Sequence, residues 1–496
     1  MINVILKSFE STETDRMMVE RAFRNTKLGT CISINNDRQF LPALDAQEHI
    51  WLPGAPLREG SFFRTVDWNT LLPLDEEIIE SMRHCESIFM RMIRKYAHKM
   101  GYAHSGDIPY DERKRQYLYQ LRYWNDLLET KHIDLVLMYH IPHQCYDFVL
   151  YNLCKIKGIP TLHLDHLLMM DAMFAVEDWE DSVTDIRDTL QKLREEYADP
   201  QKPVPLSKNY EYYFDYYRSK KPAPWYRLPR STYAEPSFLK KWWKKALKVA
   251  IRKPVQFFSA VLSPSFWARK LREHTIPRFY DRHVQVPDLS KPFIYLALHC
   301  QPEASTIPEA GAFMDQELIA ELIAACLPEG ISLYVKEHPT QGERYRSVEF
   351  YQSLLAIPSV TLIPKETDTY ALIDSSLAVA TATGTVGFES VMRQKPVLMF
   401  GHFFFQYGPG VYNIRTSEDC KCAIEEIMQQ KEPRSVHDIR LFLKAIDECA
   451  TPYPSKAPDA EEEKFSDEEK AEFVGAMLER KIRSVLERRG EAGTGA

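Results

Sequence analysis

Four short segments in the second half of the chain hold side chains suited to gripping phosphate. His299-Cys-Gln-Pro-Glu-Ala-Ser-Thr306 gathers Gln301, Glu303, Ser305 and Thr306 in one polar run. Lys336-Glu-His-Pro339 offers two donors to phosphate oxygens, Lys336 and His338, and Pro339 stiffens the turn behind them. In Thr381-Ala-Thr-Gly-Thr-Val-Gly387 the small residues around Gly384 let backbone N–H groups approach an anion, and Thr383 and Thr385 add hydroxyls. Glu389 lies four residues past Thr385, one helical turn deeper on the same face, where a carboxylate accepts from ribose hydroxyls. Together they describe a crevice for a nucleoside mono- or diphosphate. The pattern is neither a G-x-G-x-x-G fingerprint nor a Walker loop.

Each segment falls where a strand should end. Apolar runs at 293–298, 331–335, 360–363, 377–380 and 396–400 read as strands. A helix is expected over 314–326, stopped at Gly330, and residues 384–393 read as a loop entering a helix. In open α/β sheets, ligands sit at the carboxyl ends of strands. The first half follows the same grammar. Residues 3–6, 31–34 and 50–52 read as strands, and 16–24, 76–100 and 112–130 as helices. A strand at 133–139, a helix at 146–157 stopped by Gly158, and a strand from 159 form a β-α-β unit, which implies a parallel sheet. The expected class is α/β, with two doubly wound domains. Boundaries are expected at 1–200, a basic aromatic-rich insert at 201–288, a second domain at 289–450, and a C-terminal helix with a tail at 451–496. Ser466 and Glu469 are spaced as a capping box for that last helix.

The chain has 496 residues, 45% apolar and 27% charged, which excludes a largely disordered protein. No apolar run approaches the roughly 18 residues that span a bilayer, and the first ten residues, MINVILKSFE, do not have the form of a secretory signal. Nine cysteines in scattered positions, with no C-x-x-C, point to a reducing, cytoplasmic setting rather than disulfides or a zinc site. Net charge is −7, yet residues 219–283 hold 16 Lys and Arg against 3 Asp and Glu. Within that block, residues 238–252 read FLKKWWKKALKVAIR. Lys240, Lys241, Lys244 and Lys245 with Trp242 and Trp243 at helical spacing predict peripheral attachment to an anionic membrane surface. No RNA- or DNA-binding motif accompanies the block, so nucleic acid is not an expected partner.

QPEAST at 301–306, VKEHP at 335–339, ATGTVGFES at 382–390 and KPVLMFG at 395–401 follow one another in order. Over residues 291–413 this pattern resembles the capsule polysaccharide biosynthesis family of bacterial glycosyltransferases. Residues 133–139 and 158–165 resemble the family more loosely, and 168–290 depart from its pattern. The resemblance implies a GT-B fold: two Rossmann-like domains facing a cleft, with a C-terminal helix, here 466–489, crossing back to the first. It implies a nucleotide-sugar donor, CMP-activated 3-deoxy-manno-octulosonic acid (Kdo) being favoured, bound by the second domain. Ser305, His338, Thr383 and Thr385 match positions that grip phosphate, and Glu389 one that contacts nucleotide. The first domain is expected to bind a glycan or glycolipid acceptor.

Glycosyl transfer also needs a group facing the anomeric carbon. In Leu162-His-Leu-Asp-His166, Asp165 or His166 lies at a strand's carboxyl end and suits a general base or nucleophile, with His140, His143, Glu177 and Asp178 as alternatives. No D-x-D motif is present, so metal-independent transfer without a cofactor is expected, with Lys336, His338 and a helix end supplying the positive field. Two other readings remain open at this stage: a teichoic-acid-type polymer glycerophosphotransferase, and a non-catalytic nucleotide-sugar-binding scaffold at the membrane.

Overall fold

The computed structural model describes residues 1–9, 12–97, 99–100, 102, 106–167, 169–219, 264–341, 345–430, 434–453 and 465–494. The chain builds two α/β units. The first sheet contains β1 (Ile2–Lys7), β2 (Leu28–Asn35), β3 (Ala46–Pro53), β4 (Leu135–Met138), β5 (Thr161–Leu167) and β6 (Ala172–Val176). The second contains β7 (Phe293–Ala297), β8 (Ser332–Lys336), β9 (Val360–Ile363), β10 (Ala378–Thr381), β11 (Val397–Met399) and β12 (Val411–Asn413). A last short strand, β13 (Thr451–Pro452), returns to the first sheet. Strand orders are β13-β6-β5-β4-β1-β2-β3 and β12-β11-β10-β7-β8-β9.

The inner strands are parallel, and the reason lies in their composition. All four residues of β4 and all four of β10 are buried, as befits strands covered by helices on both faces. Gly158 and Gly330 take left-handed φ values of 63° and 85° just before β5 and β8, a conformation that favours glycine. In both sheets the order reverses beside the first strand, between β1 and β4 and between β7 and β10. Each unit therefore has a switch point at its carboxyl edge.

Three features depart from the sequence expectation. β6 and β13 pair antiparallel, so the first sheet is mixed, and β12 adds a parallel edge to the second. The expected helix over 76–100 is broken into Glu76–Ser81, Arg83–Met92 and a 3-10 turn at Ile93–Tyr96. Helices Thr184–Glu196 and Lys208–Arg218, with no clear sequence signal, pack with Val436–Cys449 against Phe388, Val391 and Met392 in one apolar cluster. That cluster joins the two halves on one side of the cleft. There the Gln406 amide donates to the Asp181 carbonyl at 2.8 Å. On another face Arg91 pairs with Asp315 at 2.5 Å, and the Tyr345 hydroxyl donates to the Arg91 carbonyl.

The helix Asp467–Thr494 packs on the first unit, against Val4, Leu6, Met18 and Ala22. The Ser466–Glu469 capping box forms, with bonds of 2.7 and 3.1 Å. Gly475 makes the close approach possible, because a Cβ there would sit 2.4 Å from Arg21 Cγ and 2.9 Å from the Met18 carbonyl oxygen. Two described units, each presenting a sheet's carboxyl edge to a shared cleft, with the last helix returned to the first, make the GT-B arrangement. Residues 220–263, which include the Lys240–Lys245 segment, lie outside the described residues. No helix among the described residues is long and apolar enough to cross a membrane.

Candidate functional site

The second unit's switch point is closed by bonds between two loops. After β7, the His299 ring faces the end of β10, with Nε2 2.9 Å from Thr381 Oγ1. The Thr383 N–H donates to the same nitrogen at 3.2 Å, so Nε2 is an acceptor and the neutral ring carries its proton on Nδ1. Burial, then the neighbouring charges of His338 and Arg346, push His299 down to about 3, which keeps it neutral. The Gly384 N–H donates to Thr381 Oγ1 at 3.1 Å, and the Thr383 hydroxyl donates to the Ser305 carbonyl at 2.7 Å. Only glycine fits at 384: a Cβ would lie 2.8 Å from Thr381 Oγ1 and 3.2 Å from the His299 ring.

The helix Thr385–Met392 starts here, and no side chain caps its first turn. Its amides at Thr385 and Val386 head the helix beside the switch point, where the dipole favours an anion. Thr385 is half-buried. On the next loop, the Thr340 N–H and hydroxyl lie 3.3 and 2.8 Å from His338 Nδ1. Nδ1 therefore accepts, and the His338 ring proton sits on Nε2.

Other expected residues have structural work that their spacing did not reveal. Gln301 is buried; it donates to the Met314 carbonyl at 2.7 Å and accepts from Arg346. Thr306 is fully buried and donates to the Glu303 carbonyl at 3.0 Å, while Glu303 itself and Pro339 are exposed. The Lys336 ammonium donates to the Thr367 carbonyl at 2.8 Å and Thr369 Oγ1 at 2.7 Å, which ties it to the loop after β9. Glu389 is fully buried, because every residue of its helix from Val386 to Met392 packs inside the unit. Helical spacing sets it one turn below Thr385, where it is fully buried.

Beneath these loops lies an ion pair that sequence reading missed. Arg346 and Glu337 are both fully buried, with Nε 2.7 Å from Oε2. Arg346 also donates to the His299 carbonyl at 3.0 Å, and Tyr351 donates to Glu337 at 2.8 Å. Burial alone would raise the Glu337 carboxyl, but the Arg346 charge and these bonds outweigh it and hold it below the usual range. Glu337 stands inside the Lys336–Pro339 motif, but its partner nine residues on lies in a segment with no periodic signal.

Across the cleft, β4 stops pairing with β5 at Met138 and His163, while β5 and β6 continue as a two-stranded projection to Leu167 and Ala172. Asp165 and His166 ride on that projection. Burial pushes the Asp165 carboxyl up to about 7. The carboxyl of Glu309, in the second unit, is raised first by burial and then by the Asp165 charge. Glu309 was not foreseen; its only sequence signal is a second Pro-Glu pair at 308–309, echoing 302–303. The His166 ring stands edge-on to Tyr453, with centroids 4.9 Å apart. Two of the alternatives serve other contacts: Glu177 pairs with Arg488 at 2.7 Å, and Asp178 with Lys155 at 2.6 Å.

Residues 310–436 match the family described as capsule polysaccharide biosynthesis protein. The match contains the loop at 335–339, the helix start at 385 and the strand β11, and begins just after the loop that holds Ser305. No curated protein sequence matches the chain. Solved structures with a similar course include a UDP-GlcNAc 2-epimerase from Methanocaldococcus jannaschii, 12% identical over 88% of this chain and 95% of that one, with a TM-score of 0.26. Another is Thermosulfurimonas dismutans KpsC, beta Kdo 2,7 transferase, 10% identical over 85% and 89%, with a TM-score of 0.29. Scores of this size carry no functional weight beside the geometry above.

Proposed function

We propose that the protein is a glycosyltransferase that moves a sugar from a nucleotide-activated donor, with CMP-Kdo favoured, to a surface or capsular polysaccharide acceptor. The observation that carries this reading is the uncapped start of helix Thr385–Met392 at the β7/β10 switch point, walled by the loops of Ser305 and His338. Backbone amides and the helix dipole stabilise negative charge where the donor's phosphate leaves. The Nε2 proton of His338 adds a donor for the same oxygens.

Asp165 supplies the opposing group. As a carboxylate it takes the proton of the acceptor hydroxyl, whose oxygen then bonds to the anomeric carbon as the bond to phosphate breaks and the nucleotide departs. Alternatively its own oxygen forms that bond first, and the acceptor displaces it in a second step. The first route inverts the anomeric centre and the second retains it. Burial holds the Asp165 carboxyl at about 7, so it gains and loses its proton close to neutral pH. Transfer is metal-independent in this reading, and the basic segment 238–252 brings the protein to an anionic membrane face where a lipid-linked acceptor is presented.

The test is release of nucleotide from CMP-, UDP- and GDP-sugars with an acceptor oligosaccharide, followed by anomeric analysis of the product. CMP release that persists in EDTA supports the proposal. No release from any donor, or activity abolished by chelation and restored by manganese, contradicts it.

A further inference from the structure

The first unit's own switch point holds a cluster of cationic side chains that no catalytic step above uses. Lys7 ends β1 and is fully buried, with Nζ 2.7 Å from Asp147 Oδ2. That carboxylate is already committed, since its other oxygen accepts from the Gln144 N–H at 2.7 Å. Lys95, half-buried, reaches over the same edge and donates to the His143 carbonyl. Arg58 belongs to the short helix Gly54–Glu59 that continues directly from β3; burial first, and then the charges of Lys7 and Arg58, lower the Lys95 ammonium from its ordinary value. The Arg58 Nε is buried and has no hydrogen-bond partner among the described residues.

Two imidazoles complete the rim, His140 and His143, with ring centroids 6.3 Å apart. His143 donates from Nδ1 to the Ile141 carbonyl at 2.7 Å, and His140 is exposed, so the cluster is reached from solvent beside it. Burial, followed by the charges of Lys7 and Lys95, pushes His143 down to about 3, which reports a positive field there. Three cations face one carboxylate on a sheet's carboxyl edge. A buried guanidinium nitrogen without a partner is costly unless an anion meets it.

We propose that Arg58, Lys95 and the Lys7–Asp147 pair, rimmed by His140 and His143, form a binding site for an anionic group, a carboxylate or a phosphate, on the acceptor. Calling the ligand the acceptor rests on the glycosyltransferase reading; the anion site itself does not. The site sits on the same sheet edge as Asp165, so an acceptor anchored there by its charge presents a neighbouring hydroxyl toward the cleft.

The test is thermal unfolding of the full-length protein titrated with inorganic phosphate in one arm and glucuronate in the other, each with and without CMP. A ligand that binds only the folded form raises the melting temperature in a saturable way. The expected result is a saturable rise in at least one arm that adds to the CMP shift, and the arm with the lower half-saturation identifies the group. Arg58→Gln and Lys95→Met each weaken that half-saturation by about tenfold and leave the CMP shift intact. Arg58→Lys, which keeps the charge, retains most of the anion response. Equal anion responses in wild type and both variants, or none in either arm, overturn the site. An anion response lost in the variants, alongside no response to CMP, upholds the site and removes the CMP-donor reading.

Discussion

The two sheet edges that meet at the cleft are built on opposite plans. On the second unit the polar side chains are bonded to one another: His299 to Thr381 and Thr383, Thr383 to Ser305, Gln301 and Glu337 to Arg346. Little there remains to reorganise, and the groups left over are the helix-start amides. On the first unit Asp165 projects on a two-stranded arm, and the Arg58 Nε has no partner among the described residues. A preorganised edge suits a ligand that is always the same, a nucleotide phosphate. An edge with unsatisfied charge suits a ligand that supplies the missing partner when it arrives.

The contrast breaks most visibly at Asp165. Asp165→Asn should lower the transfer rate by about 10²–10⁴-fold and leave the nucleotide-induced thermal shift unchanged; loss of both together would tie Asp165 to the wrong edge. Its pH signature is distinct. The folded value of about 7 lies above the ordinary 3.8, so between those values the folded state holds a proton that the unfolded state has released. Wild-type stability should therefore fall as pH rises across that window, and the variant should lack that fall. The rate, which needs the carboxylate, should instead rise through about pH 7.

On the second unit the largest effects should be on stability. Arg346→Met strands the buried Glu337 carboxylate and should cost about 3–5 kcal/mol in urea unfolding. A loss below about 1 kcal/mol would mean the loops do not depend on that pair. Gly384→Ala forces its methyl against Thr381 and the His299 ring, and should cost about 1–3 kcal/mol while weakening CMP binding measured by calorimetry. Smallest of all, Arg91→Ala removes a half-exposed ion pair with Asp315 and should change stability by at most about 1 kcal/mol. Its informative readout is the radius of gyration in solution scattering, which should grow if that contact helps to hold the cleft closed.

The same contrast explains what was legible in the sequence. The second unit's edge is made from contiguous runs, so 299–306, 336–339 and 381–387 could be read from local composition, and their strands from apolar periodicity. The bonds inside that edge are tertiary, which is why Arg346 carries no signal in the sequence and the surroundings of Lys336 and Glu389 are not legible there. Lys336 turns to Thr367 and Thr369, and Glu389 sits on a helix whose every face is core. The first unit's edge draws Lys7, Arg58, Lys95, His140 and Asp165 from five separate elements. Of these, only His140 and Asp165 follow apolar runs plainly enough to be singled out. β6 and β13 escaped notice because antiparallel additions at a sheet's edge leave no β-α-β rhythm.

A crystal structure of the protein soaked with CMP tests the central claim most directly. The phosphate should lie against the Thr385 and Val386 amides, between the loops of Ser305 and His338. Density for CMP elsewhere in the molecule, with that helix start facing only solvent, would contradict the account.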